Sequence, residues 1–271
     1  MPRGDRVDIV VPVYNEARAL ASSIHTLVDF LSRTSAYDWR IVIADNASTD
    51  DTPGIMRHLA RRLPRVQAVR IETKGRGIAL KRTWMESDAA IRAYMDVDLS
   101  TDLGAVTPLL DSVAGGYDIA IGSRHVPESV LRRGIKRDVL SRAYNGLLRA
   151  MFRTEITDAQ CGFKAVSRRV VTDLVPRVQS DGWFFDTELL LLAERAGYRI
   201  AQVPVHWIED PDSRVRIART VAEYLRETWR LRRTVQAPAR PAHAGSRPRA
   251  VGLGSVPAPD SRATTSSSAG H

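Results

Sequence analysis

Only one of the 271 residues is a cysteine, Cys161, so an intramolecular disulfide is excluded and the chain suits a reducing compartment. Long hydrophobic runs are missing too. No stretch approaches the roughly 18 uninterrupted apolar residues of a membrane-spanning helix, so we expect none. The first residues, MPRGDRVDIVVPVYNE, include a short apolar run but no small-residue cleavage site, and we therefore expect no signal peptide. These features favour a cytoplasmic protein.

Aromatic residues make up only 6% of the sequence, and the 31 acidic residues are outnumbered by 40 basic ones, which gives a net charge of +9. Such an excess favours an anionic partner: nucleic acid, an anionic membrane surface or a phosphorylated small molecule. The low aromatic content and the lack of a groove-reading motif argue against nucleic acid. A non-catalytic nucleotide- or nucleic-acid-binding module stays open as an alternative, and nucleic-acid binding of that kind would be metal-independent and steeply salt-dependent.

The first half of the sequence alternates strand-like runs with helical stretches. Strands are predicted at 7–14, 39–45, 66–72, 90–98 and 117–124. Helices are predicted at about 17–33, 52–63 and 77–88, and further along a helix at 183–197 separates strands at 161–167 and 198–207. Strands joined by helical crossovers predict one α/β domain with a mainly parallel sheet flanked by helices.

The last part of the sequence changes in composition. Residues 236–271 are rich in Pro, Ala, Gly and Ser, and we expect them to be disordered because they bury too little apolar surface to offset their ordering entropy. The predicted division is an α/β domain at 1–213, a basic amphipathic helical extension at 214–235 and the tail. The extension either lies on a membrane or packs on the domain with a wet basic face.

The segment AYMDVDLSTD ends the fourth predicted strand with Asp96 and Asp98. In a strand, residues two apart point to the same face, so these carboxylates would project together and repel unless a cation lies between them. Mg²⁺ and Mn²⁺ prefer such oxygen ligands and keep coordination positions for substrate phosphates. Alone, the pair is more often a solvated strand end, so its surroundings decide.

Other predicted strands also end in polar residues. Tyr14 to Glu16 follow the first strand, Asp45 the second and Arg124 the fifth. Because ligands of open α/β sheets bind outside the carboxyl ends of the strands, a shared site is expected there. KGRGIALK adds Gly75 and Gly77 at a helix start, where backbone N–H groups can approach an anion. Each motif alone is also typical of an ordinary turn or helix cap.

Taken together, VPVYNE, DNASTDD, KGRGIALK and YMDVDLS occur in an order and spacing by which the chain resembles the family 2 glycosyltransferases of the Rossmann-like GT-A fold, which use nucleotide sugars. GSR (122–124), DAQCGFKA (158–165) and WFFDTELL (183–190) narrow the resemblance to the branch that glycosylates polyprenyl phosphates, such as dolichyl-phosphate mannose and glucose synthases. The resemblance covers about residues 6–212.

The resemblance implies a donor site and a metal site. The implied donor-binding residues are Pro12, Tyr14, Glu16, Asp45, Gly75 and Asp96. Asp96 and Asp98 would bind Mg²⁺ or Mn²⁺ and, through it, the diphosphate. Ser100 occupies the position that can complete the metal shell, although a hydroxyl is a weaker ligand than a carboxylate or an amide.

The basic segment 122–149 is the expected acceptor site. Arg137 and Ser141 are one helical turn apart and share a face, so with Arg124 they can hold a phosphate through charge-assisted hydrogen bonds. The similar family places an arginine and a serine at this spacing for the lipid phosphate. The alternative interpretation is a solvated basic helix.

The resemblance implies transfer of a hexose from a UDP- or GDP-sugar to a polyprenyl phosphate, with inversion. A phosphate monoester is largely dianionic near pH 7 and needs little help from a base. Asp158 matches the catalytic base of relatives and is assigned a base or orienting role; Asp186 and His206 are candidate sugar or flap contacts, and Glu188 a structural partner for an arginine. The alternative is a family 2 enzyme with a hydroxyl acceptor, in which Asp158 is a true base.

The expected partners are the nucleotide sugar and the polyprenyl phosphate. Relatives often carry membrane-spanning helices after this domain. We therefore expect peripheral contact with the cytoplasmic face of the membrane, with a membrane partner protein or self-association as further means of anchoring.

Overall fold

The computed structural model describes residues 3–132, 135–208 and 217–235. The strands are β1 (Arg3–Val13), β2 (Tyr37–Asn46), β3 (Val66–Ile71), β4 (Ile91–Met95), β5 (Ile119–Ser123), β6 (Val130–Arg132), β7 (Phe163–Ser167), β8 (Ile200–Pro204) and β9 (His206–Ile208). The helices are α1 (Leu20–Thr34), α2 (Thr52–Arg62), α3 (Arg76–Glu86), α4 (Val106–Ala114), α5 (Ile135–Phe152), α6 (Arg168–Asp173), α7 (Phe185–Arg195) and α8 (Ile217–Val235).

Seven strands form the main sheet in the order β3-β2-β1-β4-β7-β5-β8. Six of them run in one direction, and β7 runs against them between β4 and β5. The amino end of β7 therefore lies at the same edge as the carboxyl ends of its neighbours. We call this edge, with the loops that leave it, the carboxyl edge. The prediction of a mainly parallel sheet flanked by helices is confirmed.

Alternating apolar side chains give the sheet a hydrophobic core on each face. In β1, Val7, Ile9 and Val11 face one core while Val10 faces the other. The first core receives α1, α2 and α4, and α1 contributes Leu20, Ile24, Leu27 and Leu31 at helical spacing. The second core receives α3, α6 and α7. Helices thus pack on both faces of the sheet, and this packing fixes the positions of the residues at its carboxyl edge.

Two predicted strands end differently in the structure. The strand predicted at 90–98 stops at Met95, so Asp96 and Asp98 lie in a turn that contains Leu99 at φ +50°. Strand alternation therefore does not explain their arrangement. The strand predicted at 198–207 divides into β8 and β9, and β9 pairs with the unpredicted β6 in a separate two-stranded sheet. Pro204 is the last residue of β8, and Val205 links the two sheets, because its N–H donates to the Ser123 carbonyl and its carbonyl accepts from the Val130 N–H.

Helix α8 packs on the domain through a face that the sequence did not indicate. Its Tyr224 ring stacks on Tyr144 with 5.1 Å between ring centroids, and Leu231 is buried. Helical spacing in the sequence predicts Leu225 and Trp229 on the apolar face of this helix, yet they are 40% and 54% exposed. None of the helices in the described part of the chain is both long and apolar enough to cross a bilayer. The predicted tail, 236–271, lies outside the described residues.

Candidate active site

Asp96 leaves β4 at the centre of the carboxyl edge and lies directly against Gly162, which precedes β7. The Asp96 N–H donates to the Gly162 carbonyl over 3.2 Å. A Cβ at position 162 would overlap the Asp96 carboxylate, so only glycine permits this approach. Asp98 is exposed, and its Oδ1 accepts a 3.0 Å hydrogen bond from the backbone N–H of Ser100. The glycine of the CGFK motif therefore makes room for the first aspartate.

An arginine that sequence reasoning overlooked binds Asp96. Nη2 of Arg76, the first residue of α3, donates to Asp96 Oδ1 over 2.6 Å. Its guanidinium lies 5.2 Å from the ring centroid of Tyr94 and 4.6 Å from that of Trp183. Burial opposes the charge on Arg76, but Asp96, Tyr94 and Asp186 outweigh it and raise the arginine pKa. The sequence did hold one sign of this role, because Arg76 lies between Gly75 and Gly77 at a predicted helix start.

A second ion pair lies buried beside the first. Lys164 Nζ lies 3.0 Å from Asp186 Oδ1 and donates to the Cys161 carbonyl over 2.5 Å. The Tyr94 hydroxyl donates to the same Asp186 oxygen over 2.5 Å. Asp186 is only 4% exposed. The expectation that it contacts a sugar does not agree with this position, because its carboxylate serves the protein interior.

Glu188 faces away from Asp186, as expected for residues two apart on a helix. Its carboxylate accepts hydrogen bonds from the backbone N–H groups of Gln179 and Ser180 at 3.2 Å and 2.9 Å. Nη2 of Arg230 on α8 donates to it over 2.7 Å. Glu188 is therefore a structural partner for an arginine, and it ties α8 to the domain.

The two glycines at the start of α3 do not offer their N–H groups to a ligand. The Gly75 N–H donates to Asn46 Oδ1 over 2.7 Å, and the Gly77 N–H donates to the Asp181 carbonyl over 2.9 Å. A Cβ at position 75 would lie 2.5 Å from that carbonyl oxygen. The expected anion-binding role of Gly75 is therefore not supported, and both glycines instead allow close packing against residues 180–181.

The predicted donor site contains an ion pair at Asp45 that the sequence did not indicate. Asp45, at 0% exposure, accepts at Oδ2 from Arg70 Nη1 over 2.6 Å and at Oδ1 from the Ser48 N–H over 3.1 Å. Arg70 lies on β3 opposite Asp45 on β2. Arg70 and Ser48 therefore fix the position of the Asp45 carboxylate through one hydrogen bond to each oxygen.

The loop after β1 is fastened to the first residue of α2. The Glu16 N–H donates to Thr52 Oγ1 over 2.9 Å. Tyr14 is half-buried, and Lys74 Nζ lies 3.6 Å from its ring centroid. Pro12, near the end of β1, pairs with Ala44 in the sheet. Pro12, Tyr14 and Glu16 lie at the end of β1 on the carboxyl edge, and their role in donor binding stays a prediction.

Arg124 and Asp158 form a buried bidentate ion pair at the other end of the edge. Nε and Nη2 of Arg124 donate to the two carboxylate oxygens over 2.7 Å and 2.8 Å, and the Arg124 N–H adds a third bond of 3.1 Å. Asp158 is 0% and Arg124 7% exposed. Burial acts to raise the pKa of Asp158, but the charge and hydrogen bonds of Arg124 hold it well below its usual range. Asp158 is therefore a poor base, and its carboxylate instead holds the Arg124 guanidinium in position.

The other predicted site residues in this region are Ser141, Arg137 and His206, and the structure describes contacts for only some of them. Ser141 on α5 is buried, and its Oγ lies 3.3 Å from Nε2 of His125. Burial lowers the pKa of that histidine, against the charge of Asp158. The backbone of Arg137 belongs to α5, but its side chain lies outside the described part of the structure. His206 is exposed on β9, and its carbonyl accepts from the Asp102 N–H.

The donor chemistry at Asp96 fits a hard divalent cation only in part. Asp96 and Asp98 supply carboxylate oxygens, and Mg²⁺ sites commonly combine one or two carboxylates with substrate phosphates. Within residues 3–132, 135–208 and 217–235, no cluster of three or more His, Cys, Asp or Glu side chains is arranged to hold a metal ion. Ser100 is 8% exposed. A cation here would therefore depend on ligands from the substrate.

This mainly parallel sheet, with an aspartate pair at its carboxyl edge, defines a glycosyltransferase of the GT-A type. The sequence model of glycosyl transferase family 2 matches residues 8–175, and the chain belongs to that family. The resemblance expected from the motifs is thereby confirmed.

Two curated relatives illustrate the similarity. Glycosyltransferase AglD of Haloferax volcanii is 38% identical over 235 residues, which cover 84% of this chain and 38% of AglD. The dolichyl-phosphate beta-glucosyltransferase of Saccharomyces cerevisiae is 27% identical over 232 residues, covering 78% of this chain and 70% of the yeast protein. The chain thus spans well under half the length of the archaeal relative.

Among solved structures, the fold is similar to glucosyl-3-phosphoglycerate synthase from Mycobacterium tuberculosis in complex with Mn²⁺, UDP-glucose and phosphoglyceric acid. The TM-score is 0.64 at 20% sequence identity, over 84% of this chain and 80% of that one. At this identity the likeness establishes the fold.

Proposed function

We propose that the protein transfers a hexose from a UDP-sugar to a polyprenyl phosphate with inversion, and releases UDP. The observation that carries the proposal is the Arg124–Asp158 pair, in which the candidate base has a pKa held far below neutrality and both oxygens bonded. A sugar hydroxyl acceptor needs a base, whereas a phosphate acceptor is already anionic. The similarity to dolichyl-phosphate beta-glucosyltransferases supports the same acceptor class.

Asp96 and Asp98 would hold the Mg²⁺ or Mn²⁺ ion, which supplies charge stabilisation to the departing diphosphate. Asp158 orients Arg124, whose guanidinium contributes positive potential at the acceptor end of the edge and stacks 4.9 Å from the Trp207 ring centroid. Ser141 and Arg137 on α5 complete the proposed acceptor site. The protein's contribution is thus alignment and charge neutralisation rather than proton transfer.

The Asp45–Arg70 pair favours uracil over guanine. The uracil edge presents one N–H between two carbonyl oxygens, while the guanine edge presents two adjacent N–H donors beside one carbonyl. In the Asp45–Arg70 pair, a carboxylate oxygen that accepts hydrogen bonds lies beside N–H groups that donate them. This order of acceptor and donors is complementary to the uracil edge. Guanine would leave a donor facing the guanidinium, and a site built on hydrogen bonds discriminates strongly against such a mismatch.

A donor and acceptor assay tests the proposed function. The full chain is mixed with polyprenyl phosphate, Mn²⁺ or Mg²⁺, and labelled UDP-glucose, other UDP-hexoses or GDP-mannose. We expect label in the lipid extract with a UDP-sugar and little with GDP-mannose. A polyprenol of equal length, lacking the phosphate, is the matched acceptor control and should receive no label.

Transfer to polyprenol at a similar rate would favour the hydroxyl-acceptor alternative. If every donor fails both to bind and to transfer, the proposed function is wrong. Selective use of GDP-mannose would contradict only the role assigned to Asp45 and Arg70.

We propose that the exposed side of α8 contacts the membrane. Leu225 and Trp229 are one turn apart and exposed, and Arg226, Arg232 and Arg233 lie along the same helix. Apolar side chains beside basic ones bind anionic lipid surfaces. The double variant L225S/W229S should bind vesicles containing phosphatidylglycerol about tenfold more weakly or worse in co-sedimentation.

The matched control is Met85 on α3, which is 55% exposed. M85S should leave vesicle binding unchanged. Equal binding by wild type and L225S/W229S would contradict the assignment of this face to the membrane.

A further inference from the structure

Asp96 belongs to a cluster of four buried or half-buried charges that offset one another. Arg76 pairs with Asp96 at 2.6 Å, and Lys164 pairs with Asp186 at 3.0 Å. Tyr94 lies between the pairs, because its hydroxyl bonds Asp186 and its ring contacts both cations. Buried charges are costly unless they are balanced, so this cluster is at its most stable when positive and negative charges are equal.

Arg76 is held firmly in its position on Asp96. Its side chain is 10% exposed and its guanidinium is sandwiched between the Tyr94 and Trp183 rings. Its Nε is buried and has no hydrogen-bond partner. The guanidinium thus depends on Asp96 and the two rings for its position, and any cation that approaches Asp96 meets a positive charge already there.

We propose that Arg76 competes with the divalent cation for Asp96 and so makes cation uptake depend on the nucleoside diphosphate. With Asp98 counted as the second carboxylate at the cation, a dication alone would leave the site with an excess of one positive charge. A dication that binds together with the doubly negative diphosphate of a nucleotide sugar adds no net charge, and the diphosphate also provides a new anionic partner for Arg76. The inference rests on the proposed function, because it assumes a nucleotide-sugar site at this edge.

The number of oxygen ligands at the site also makes cation binding depend on the nucleoside diphosphate. The described side chains offer two carboxylates, and one oxygen of Asp96 is bonded to Arg76. Hard dications require several oxygen ligands, so the missing ones must come from water or from the substrate's phosphates. Cation and nucleotide are therefore expected to bind with strong positive coupling, which must be reciprocal.

Binding of Mn²⁺ alone, and of Mn²⁺ with UDP, tests the inference without any turnover. Free Mn²⁺ is measured by electron paramagnetic resonance during titration of wild type and of R76Q, after subtraction of the Mn²⁺ that UDP alone binds in a protein-free titration. We expect Mn²⁺ alone to bind R76Q about tenfold more tightly than wild type, and the enhancement by UDP to shrink by a similar factor. R82Q is the control, because Arg82 lies on the same helix and pairs only with exposed Glu86 among the contacts described.

A second variant guards against misfolding of R76Q. W183A removes the more exposed ring of the sandwich, and Trp183 is 44% exposed. We expect it to strengthen binding of Mn²⁺ alone by about 2- to 5-fold, the range of a single cation–π contact. R76K keeps the charge and should behave like wild type with Mn²⁺ alone.

The outcomes separate the two proposals. If UDP strengthens Mn²⁺ binding in wild type but R76Q and W183A bind Mn²⁺ alone no better than wild type, the role of Arg76 is wrong and the proposed function stands. If neither UDP nor GDP changes Mn²⁺ binding in wild type, the inferred coupling is wrong, and the donor and acceptor assay alone decides the proposed function.

Discussion

Replacing Asp158 by asparagine is expected to lower the free energy of unfolding by about 3–5 kcal/mol, the usual result of removing one partner from a buried ion pair. The substitution leaves Arg124, at 7% exposure, with its charge and without the carboxylate that binds Nε, Nη2 and the backbone N–H. Urea unfolding followed by circular dichroism measures the change. D29N is the matched control, since Asp29 is exposed on α1, and it should change stability by less than about 0.5 kcal/mol.

The double variant R124M/D158N should recover part of the loss, because it removes both charges and leaves no unpaired cation. A loss below about 1 kcal/mol in D158N, or none recovered in the double variant, would contradict the pairing. Either result would also reopen Asp158 as a base, because a carboxylate that Arg124 does not hold would be free to accept a proton.

The pH dependence of this stabilisation follows from the sign of the shift. The pKa of Asp158 is lower in the folded protein than its usual value, so the stabilisation is fully present above the unfolded value, about 3.9. It is lost only as the pH falls from there through the folded pKa. The difference in stability between wild type and D158N should therefore be constant from about pH 5 to 8 and shrink below about pH 4.

Replacing Gly162 by alanine is expected to reduce transfer about 100-fold without removing any charged group. The new Cβ would overlap the Asp96 carboxylate, so the aspartate or the chain before β7 has to move. A displacement of about 1 Å at a reacting centre commonly costs this much. Steady-state transfer to polyprenyl phosphate gives the measurement, and weaker binding of Mn²⁺ with UDP should accompany the loss.

Gly146 provides the control for this substitution. It lies on α5, and a Cβ there would meet nothing within 4 Å. G146A should therefore keep wild-type transfer and gain slightly in stability, as alanine is preferred to glycine inside a helix. Full activity in G162A would show that the position of Asp96 against the chain at 162 does not matter for the reaction.

The strand–helix order was predictable because its signals are local. Apolar alternation and β-branched residues indicated β1 to β5, and the polar residues after β1, β2 and β5 indicated the carboxyl edge. The position of β7 was not predictable in this way, since nothing within 161–167 tells which strands it separates. The end of β4 was also missed, because Asp96 continues the alternating pattern and its N–H still bonds to Gly162, the residue next in register on the chain of β7, although β4 itself ends at Met95.

The ion pairs of the site were the least predictable part. Arg124 and Asp158 are 34 positions apart, and each was assigned a separate role as an acceptor contact and a base. Their pairing changes both roles at once, which no single-residue argument anticipates. Arg70 and Arg76 were missed for a related reason: among many arginines, only the three-dimensional structure distinguishes those that bind Asp45 and Asp96.

The insertion of β7 between β4 and β5 also constrains how the protein is made. Strands β4 and β5 follow each other in the chain, yet in the sheet they are separated by the width of one strand. Until residues 163–167 leave the ribosome, each has an unpaired edge where β7 will bind. Unpaired edges promote association between chains. The nascent amino-terminal half therefore exposes strand edges that only residues later in the chain cover.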